Sequence, residues 1–350
     1  GRTVFVFPGQ GAQWVGMGRE LYAAYPAFRA AMDECAEALA PHTDWSLADV
    51  LGGCPLTRVD VVQPALFAVM VSLAKLWRTF GVEPDAVVGH SQGEIAAAHI
   101  AGALSLADAA RIVALRSRAL AALADDGGMV SLALSVAQAE DYVSRWGGSV
   151  TVAVVNAASS VVVSGAPDAL SELLESCAAD GIRARAVPVD YAAHSAQVEA
   201  IRDRLSAELD GVRPQAGTVP FYSAVTGGLV DTATLDAGYW YRNLREPVRF
   251  DLAAAAVLAD GHDVVVEASP HPVLLPALEQ TREQLGASGV GSGTLHRDRG
   301  GPAEFLAALS RLFVAGVPVD WSPAVPRTGP IDLPTYAFQR RAYWPEPAPA

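Results

Sequence analysis

A chain of 350 residues can bury a large core and suggests about two domains. Hydrophobic residues make up 51 % of it, mostly as evenly spread Ala and Val, and no run of about 18 apolar residues is free of charges, so no membrane helix is expected. A net charge of −13 argues against nucleic acid as a partner, and the three distant cysteines, Cys35, Cys54 and Cys177, fit reduced thiols in a cytoplasmic protein rather than disulfides or a zinc site.

The first strand, 4–7, is apolar and has no basic leader or cleavage site ahead of it, so no signal peptide is expected. It runs into the turn Pro8-Gly9-Gln10-Gly11-Ala12-Gln13. Helical patterns follow at 17–25 and 27–39, then at 64–80, where Leu66, Val69, Met70, Leu73, Leu76 and Trp77 recur at helical spacing. A strand at 86–88 precedes a helix at 94–100. Ser105-Leu106-Ala107-Asp108 has a capping-box pattern and opens a helix to about 123.

Asp125-Asp126-Gly127-Gly128 breaks the chain, and the pattern changes. Strand 129–134, helix 136–146, strands 150–156 and 160–164, helix 169–179 and strand 183–189 follow in the order β-α-β-β-α-β. That order is the split motif of a ferredoxin-like unit, expected at about 128–190 as an insertion in an α/β body. The body resumes with helix 196–209, strand 218–223, helix 239–243, strand 263–267 and helix 304–315. From Trp321 the chain is Pro-rich and reads as an extended tail with aromatic anchors. No internal repeat is present.

Gly89-His90-Ser91-Gln92-Gly93 carries the strongest chemical signal, because it lies between a strand and a helix. A sharp turn there strains the backbone and pushes the Ser91 hydroxyl outward, and the helix N-terminus aims free N–H groups at a developing oxyanion. A serine nucleophile needs a base. His90 should point away from the hydroxyl and support the elbow, and His99 sits within a helix. His194, where the inserted unit rejoins the body, and His271 both remain candidates. Arg116 shares a helix face with Ile112, Val113 and Leu120, so it is the arginine expected to point inward. A buried guanidinium needs an anion, either a carboxylate such as Glu94 or a carboxylate on the substrate.

Gly9-Gln10-Gly11-Ala12-Gln13-Trp14, Gly89-His90-Ser91-Gln92-Gly93-Glu94, Arg116 and Tyr191-Ala192-Ala193-His194-Ser195 together resemble the acyltransferase domains of modular type I polyketide synthases, of the malonyl-CoA:acyl carrier protein transacylase family. The resemblance runs along the whole chain, including Leu333-Pro334-Thr335-Tyr336 and Arg341-Ala342-Tyr343-Trp344 near its end. It implies an α/β-hydrolase-like large subdomain at 1–127 and 191–320, a ferredoxin-like small subdomain at 128–190 and a following linker at 321–350.

It also implies roles. Ser91 is the nucleophile and His194 its base, oriented by a backbone carbonyl within 243–250. The N–H groups of Gln10 and Gln92 form the oxyanion hole, and Arg116 holds the carboxylate of a malonyl-type unit. Gln63, His90, Tyr191 and Ala193 complete the substrate-binding set, with no metal and no bound cofactor. Acyl-CoA is the donor, the phosphopantetheine thiol of an acyl carrier protein is the acceptor, and a ketosynthase is the neighbouring domain. Gln92, Tyr191 and the segment Arg58-Val59-Asp60-Val61-Val62-Gln63 go with methylmalonyl units, although Ala193 stands where that group carries Ser. Ethylmalonyl or another substituted malonyl unit is the alternative. An α/β serine hydrolase, with Asp190 between serine and histidine, and an inactive docking module are the other classes.

Overall fold

A computed structural model describes residues 1–325, 329, 332, 334–339, 341 and 344. Its strands in chain order are β1 (Thr3–Phe7), β2 (Ala86–Gly89), β3 (Gly128–Leu132), β4 (Val150–Ala157), β5 (Ser160–Gly165), β6 (Ala184–Val187), β7 (Phe221–Ser223), β8 (Gly228–Val230), β9 (Val248–Arg249), β10 (Val264–Glu267) and β11 (Val290–Gly293). They form two sheets, β11-β10-β1-β2-β7-β8 and β6-β3-β5-β4-β9. The first is parallel except for its edge strand β8, and every residue of β1, β2 and β10 is buried. Such continuous apolar runs are what a parallel sheet covered on both faces requires. β1 and β2 pair with Phe7 opposite Gly89, so the turns that follow them leave the sheet side by side at its carboxyl edge.

The second sheet has the ferredoxin-like order for β3 to β6, with antiparallel β3/β5, β3/β6 and β4/β5 pairs. Side chains alternate between its faces. Val130, Leu132, Val161 and Val163 pack under helices Val136–Val143 and Pro167–Ala179, whereas Met129, Val162 and Val187 face the body. A register shift between Val152 and Val154 changes the parity of β4, so that Val154 and Asn156 also face the body. The fifth strand, β9, belongs to the body and pairs parallel to β4.

Helix Val59–Thr79 is the centre of the main core, packed against Pro26–Leu39 and Leu106–Ala121. By length and composition it could cross a membrane, but 89 % of its most apolar window is buried inside the fold. It starts well ahead of the expected residue 64, with Pro64 inside it. Proline has no N–H to give the carbonyl four residues back. That carbonyl, on Asp60, instead accepts from Trp45 Nε1 at 3.0 Å.

Three further expectations are corrected. The segment expected as helix 196–209 is a 3-10 stretch, Ala196–Ile201, followed by α-helix Arg202–Glu208. It leaves His194 in a left-handed conformation, and Ser195 Oγ ties Ala192 O to the Gln197 N–H, which winds the first turns tightly. Ser105 caps its helix through the Asp108 N–H, but Asp108 accepts from the Ser105 hydroxyl rather than from its backbone. Trp321 packs edge-on against Phe313, yet Tyr336, Phe338 and Trp344 are exposed rather than anchored, with Tyr336 and Phe338 edge-to-face on each other. Leu333, Ala342 and Tyr343 lie outside the described residues.

Trp45→Phe should lower unfolding stability by about 1 kcal/mol, because it strands the Asp60 carbonyl without removing the ring. Urea denaturation checks this; an unchanged midpoint would mean that water replaces the indole.

Candidate active site

β2 ends at Gly89 and the next helix begins at Gly93, leaving His90, Ser91 and Gln92 to turn the chain. Ser91 takes φ +52°, a left-handed conformation that costs a non-glycine residue of order 1–3 kcal/mol. The turn closes only because its flanks lack side chains. A Cβ on Gly93 would strike the Phe7 and Pro8 carbonyls, and one on Gly89 would strike the Glu94 backbone.

Ser91 Oγ lies 2.9 Å from His194 Nε2, and His194 Nδ1 lies 2.9 Å from the Glu246 carbonyl. A carbonyl can only accept, so Nδ1 carries the proton and Nε2 offers its lone pair to the serine hydroxyl. The carbonyl falls within the expected segment. Asp190 has no part in holding the ring; its own carbonyl accepts from the Asp125 N–H. His194 is also left-handed, at φ +57°, and its N–H is tied to Leu244 O at 3.0 Å. Burial, helped by the nearby Arg116 cation, pushes its pKa from 6.5 down to about 3. His271, the competing candidate, instead accepts weakly from the Arg297 N–H and packs on His296.

Arg116 is fully buried, and its Nη2 donates to Ser91 Oγ at 3.1 Å while Nη1 donates to Gln63 Oε1 at 2.9 Å. Its Nε has no partner, and among the described residues it pairs with no carboxylate. Burial lowers its pKa only to about 10, so it stays a cation at neutral pH. The internal ion pair with Glu94 is not formed. Glu94 is held by the Ala224 N–H, the Tyr239 hydroxyl and Asn243 Nδ2, and burial raises it to about 7.

These groups open into one pocket of about 200 Å³. Its floor is Gln10, Ser91, Gln92 and Arg116 of the body, and its roof is Met129, Val154, Val162 and Val187 of the small sheet. Gln63, Tyr191 and Ala193 line it. Among the described residues, the backbone N–H groups of Gln10 and Gln92 donate to no protein acceptor. His90 lines the pocket but turns from Ser91, and its Nε2 bonds Asn156 Oδ1 across the cleft at 2.9 Å.

Sequence reasoning missed Asn243 and Asn156. Asn243 Nδ2 donates to both Ser91 O, at 3.1 Å, and Glu94 Oε2, at 2.9 Å. No local pattern marks either asparagine; each is significant only for what the fold brings to it.

A model of the acyl transferase domain matches residues 4–319. The chain belongs to this family. It is 60 % identical over 339 residues to the spectinabilin polyketide synthase system protein NorA of Streptomyces orinoci, covering 95 % of this chain and 18 % of that protein. It superposes on the acyltransferase domain from module 8 of the salinomycin polyketide synthase with TM-score 0.90 and 54 % identity, over 92 % of this chain and 77 % of that one. The acyltransferase domain of SpnD, solved in complex with 2-(pent-4-yn-1-yl)malonyl, aligns with TM-score 0.83 and 28 % identity, over 93 % and 78 %. The chain is thus an acyltransferase domain of the modular polyketide synthase type, with the family's two-subdomain fold, and it spans less than a fifth of the curated relative named here.

His194 should remain neutral from about pH 5 to pH 8, where an ordinary histidine titrates. Because its folded pKa is lowered, the unfolded chain binds the proton first, and this group's contribution to stability falls as pH drops from 6.5 toward 3. NMR titration of its ring checks this, and Arg116→Gln should move its midpoint upward. A wild-type midpoint near 6.5 would contradict it.

Proposed function

We propose that this domain takes a methylmalonyl unit from its CoA thioester onto Ser91 and passes it to the phosphopantetheine thiol of an acyl carrier protein, beside a ketosynthase in a larger synthase. Ser91 Oγ attacks the thioester carbonyl and gives its proton to His194 Nε2. The oxyanion is met by the Gln10 and Gln92 N–H groups. The carbon–sulfur bond breaks, and the CoA sulfur takes the proton from His194. The carrier thiol then gives its proton to the same nitrogen and attacks the acyl-serine ester, and Ser91 leaves as the restored hydroxyl. No resident cofactor enters these steps.

The observation that carries this reading is the Arg116 cation, buried, short of hydrogen-bond partners and 3.1 Å from Ser91 Oγ. An ester hydrolase acting on neutral acyl groups has no use for such a charge, whereas a carboxylate two carbons from the reacting carbonyl would pair with it bidentately. Support for a serine–histidine pair rather than a hydrolase triad comes from the carbonyl of Glu246 behind His194. The related domain holding a substituted malonyl favours the same substrate class. For the α-methyl group, support comes from Ala193, which lines the pocket where a phenylalanine ring would fill the space.

Intact-protein mass after incubation with methylmalonyl-CoA should show an adduct that Ser91→Ala abolishes; an adduct persisting on the variant would exclude Ser91. Arg116→Ala should lose methylmalonyl transfer by about 2–5 kcal/mol more than acetyl transfer, part of it the cost of stranding the substrate's charge. Equal loss for both would make Arg116 merely structural. Competing CoA thioesters should give the highest kcat/KM for methylmalonyl, with ethylmalonyl close behind, since one methylene in an apolar pocket is worth only about 1–3 kcal/mol. Ala193→Phe should shift preference toward malonyl. Malonyl-CoA winning on the wild type would overturn the specificity alone.

A further inference from the structure

The nucleophile and its base come from distant parts of the chain, yet one helix end grips both. Helix Ala237–Arg245 finishes beneath the elbow. From it, Asn243 Nδ2 donates to Ser91 O at 3.1 Å and Leu244 O accepts the His194 N–H at 3.0 Å, and Glu246, just past the helix end, offers its carbonyl to His194 Nδ1 at 2.9 Å. The two backbone contacts are available whatever side chains stand there. The contact to Ser91 depends on Asn243 alone.

We propose that Asn243 is a positioning residue for the acyl transfer: its amide fixes the strained Ser91 backbone to the same helix end that holds His194, and so sets the distance between hydroxyl and base. This rests on the reading of Ser91 as nucleophile and His194 as base.

The local chemistry suits that task. Ser91 and His194 are both left-handed non-glycine residues, at φ +52° and +57°, and neither conformation persists unless its surroundings hold it. The Ser91 N-terminal flank is fixed by the His90 N–H on Phe7 O at 2.9 Å. On the far flank the Ser91 carbonyl accepts from the Glu94 N–H at 3.1 Å, within its own turn, and from Asn243. Asn243 is therefore the side chain that refers this carbonyl to the rest of the molecule.

Asn243 is itself buried and oriented. Its second amide hydrogen goes to Glu94 Oε2, which also accepts from the Tyr239 hydroxyl at 2.6 Å, and Tyr239 is paired with Ser223 at 2.7 Å. An amide with both hydrogens engaged cannot turn over, because its oxygen would then face a carboxylate and a carbonyl. Aspartate has the same shape but no such hydrogens when ionised. Alanine would leave a space and take one donor from each of two acceptors, leaving Ser91 O only the Glu94 N–H of its own turn.

The test is single-turnover acylation by methylmalonyl-CoA on wild type, Asn243→Asp, Asn243→Ala and Tyr239→Phe, with the acylated residue located by peptide mapping and rates expressed per titrated active site. Both Asn243 variants should acylate about 10- to 100-fold more slowly, the range expected when a reacting pair is displaced by about an ångström, with KM within about twofold of wild type. Tyr239→Phe, which loosens Glu94 but leaves the Asn243 amide able to reach Ser91 O, should lose less than either. An undiminished per-site rate in whichever Asn243 variant folds would overturn the proposal. So would a loss confined to the titratable fraction or to KM, or an equal loss in Tyr239→Phe, any of which marks Asn243 as packing only. If neither Asn243 variant gives a folded protein, its role is structural and the proposal fails. A wild-type adduct mapping away from Ser91 would instead sink the underlying assignment of the nucleophile.

Discussion

A buried cation that lines the pocket and pairs with no carboxylate among the described residues is the constraint on which this molecule turns. Burying a guanidinium without a counterion is costly, and the fold offsets only part of that cost with the Gln63 side-chain oxygen and the Ser91 hydroxyl. The same charge helps hold His194 neutral. It also donates to the Ser91 hydroxyl. On the proposed reading the missing anion arrives with the substrate, and the binding of its carboxylate and the hydrogen bond to the nucleophile come from one group.

Much of this was legible in the chain because it is local. Gly89-His90-Ser91-Gln92-Gly93 spells out a turn whose glycines are demanded by contacts within a few residues and by the neighbouring strand. The β-α-β-β-α-β order at 128–190 follows from alternating patterns that need no long-range information, and the ferredoxin-like strand order is the outcome. The inward turn of Arg116 followed from helical spacing. Its partner did not: Glu94 was a plausible anion by charge, but Tyr239, Asn243 and the Ala224 N–H, all far along the chain, already occupy it.

What was hidden has physical reasons. Phe250–Ala259 is apolar on nearly every side, so it carries little periodic contrast and was not expected as a helix. Helix Leu47–Gly52 and strands β8 and β9 are too short to establish a period, and β11 contains two glycines. The apolar pattern was read from Pro64 onward, and the carbonyl that proline leaves without a helical donor is met by an indole from residue 45. Asn243 and Asn156 are ordinary polar residues until the fold sets one beneath the elbow and the other across the cleft.

The two residues of β9 give the small sheet a different standing from that of an appended lobe. Val248 and Arg249 are edge partners of Val154 and Val155, and they follow directly on the turn that carries Glu246. The roof of the pocket is therefore hydrogen-bonded to the segment whose carbonyl holds the His194 ring. An exchange of substrate preference between relatives that moved only 128–190 would graft a four-stranded sheet onto a foreign fifth strand, and any mismatch in that seam would reach His194 before it reached the acyl chain. The unit that completes the small sheet is discontinuous in the chain: the inserted lobe together with the short stretch around β9.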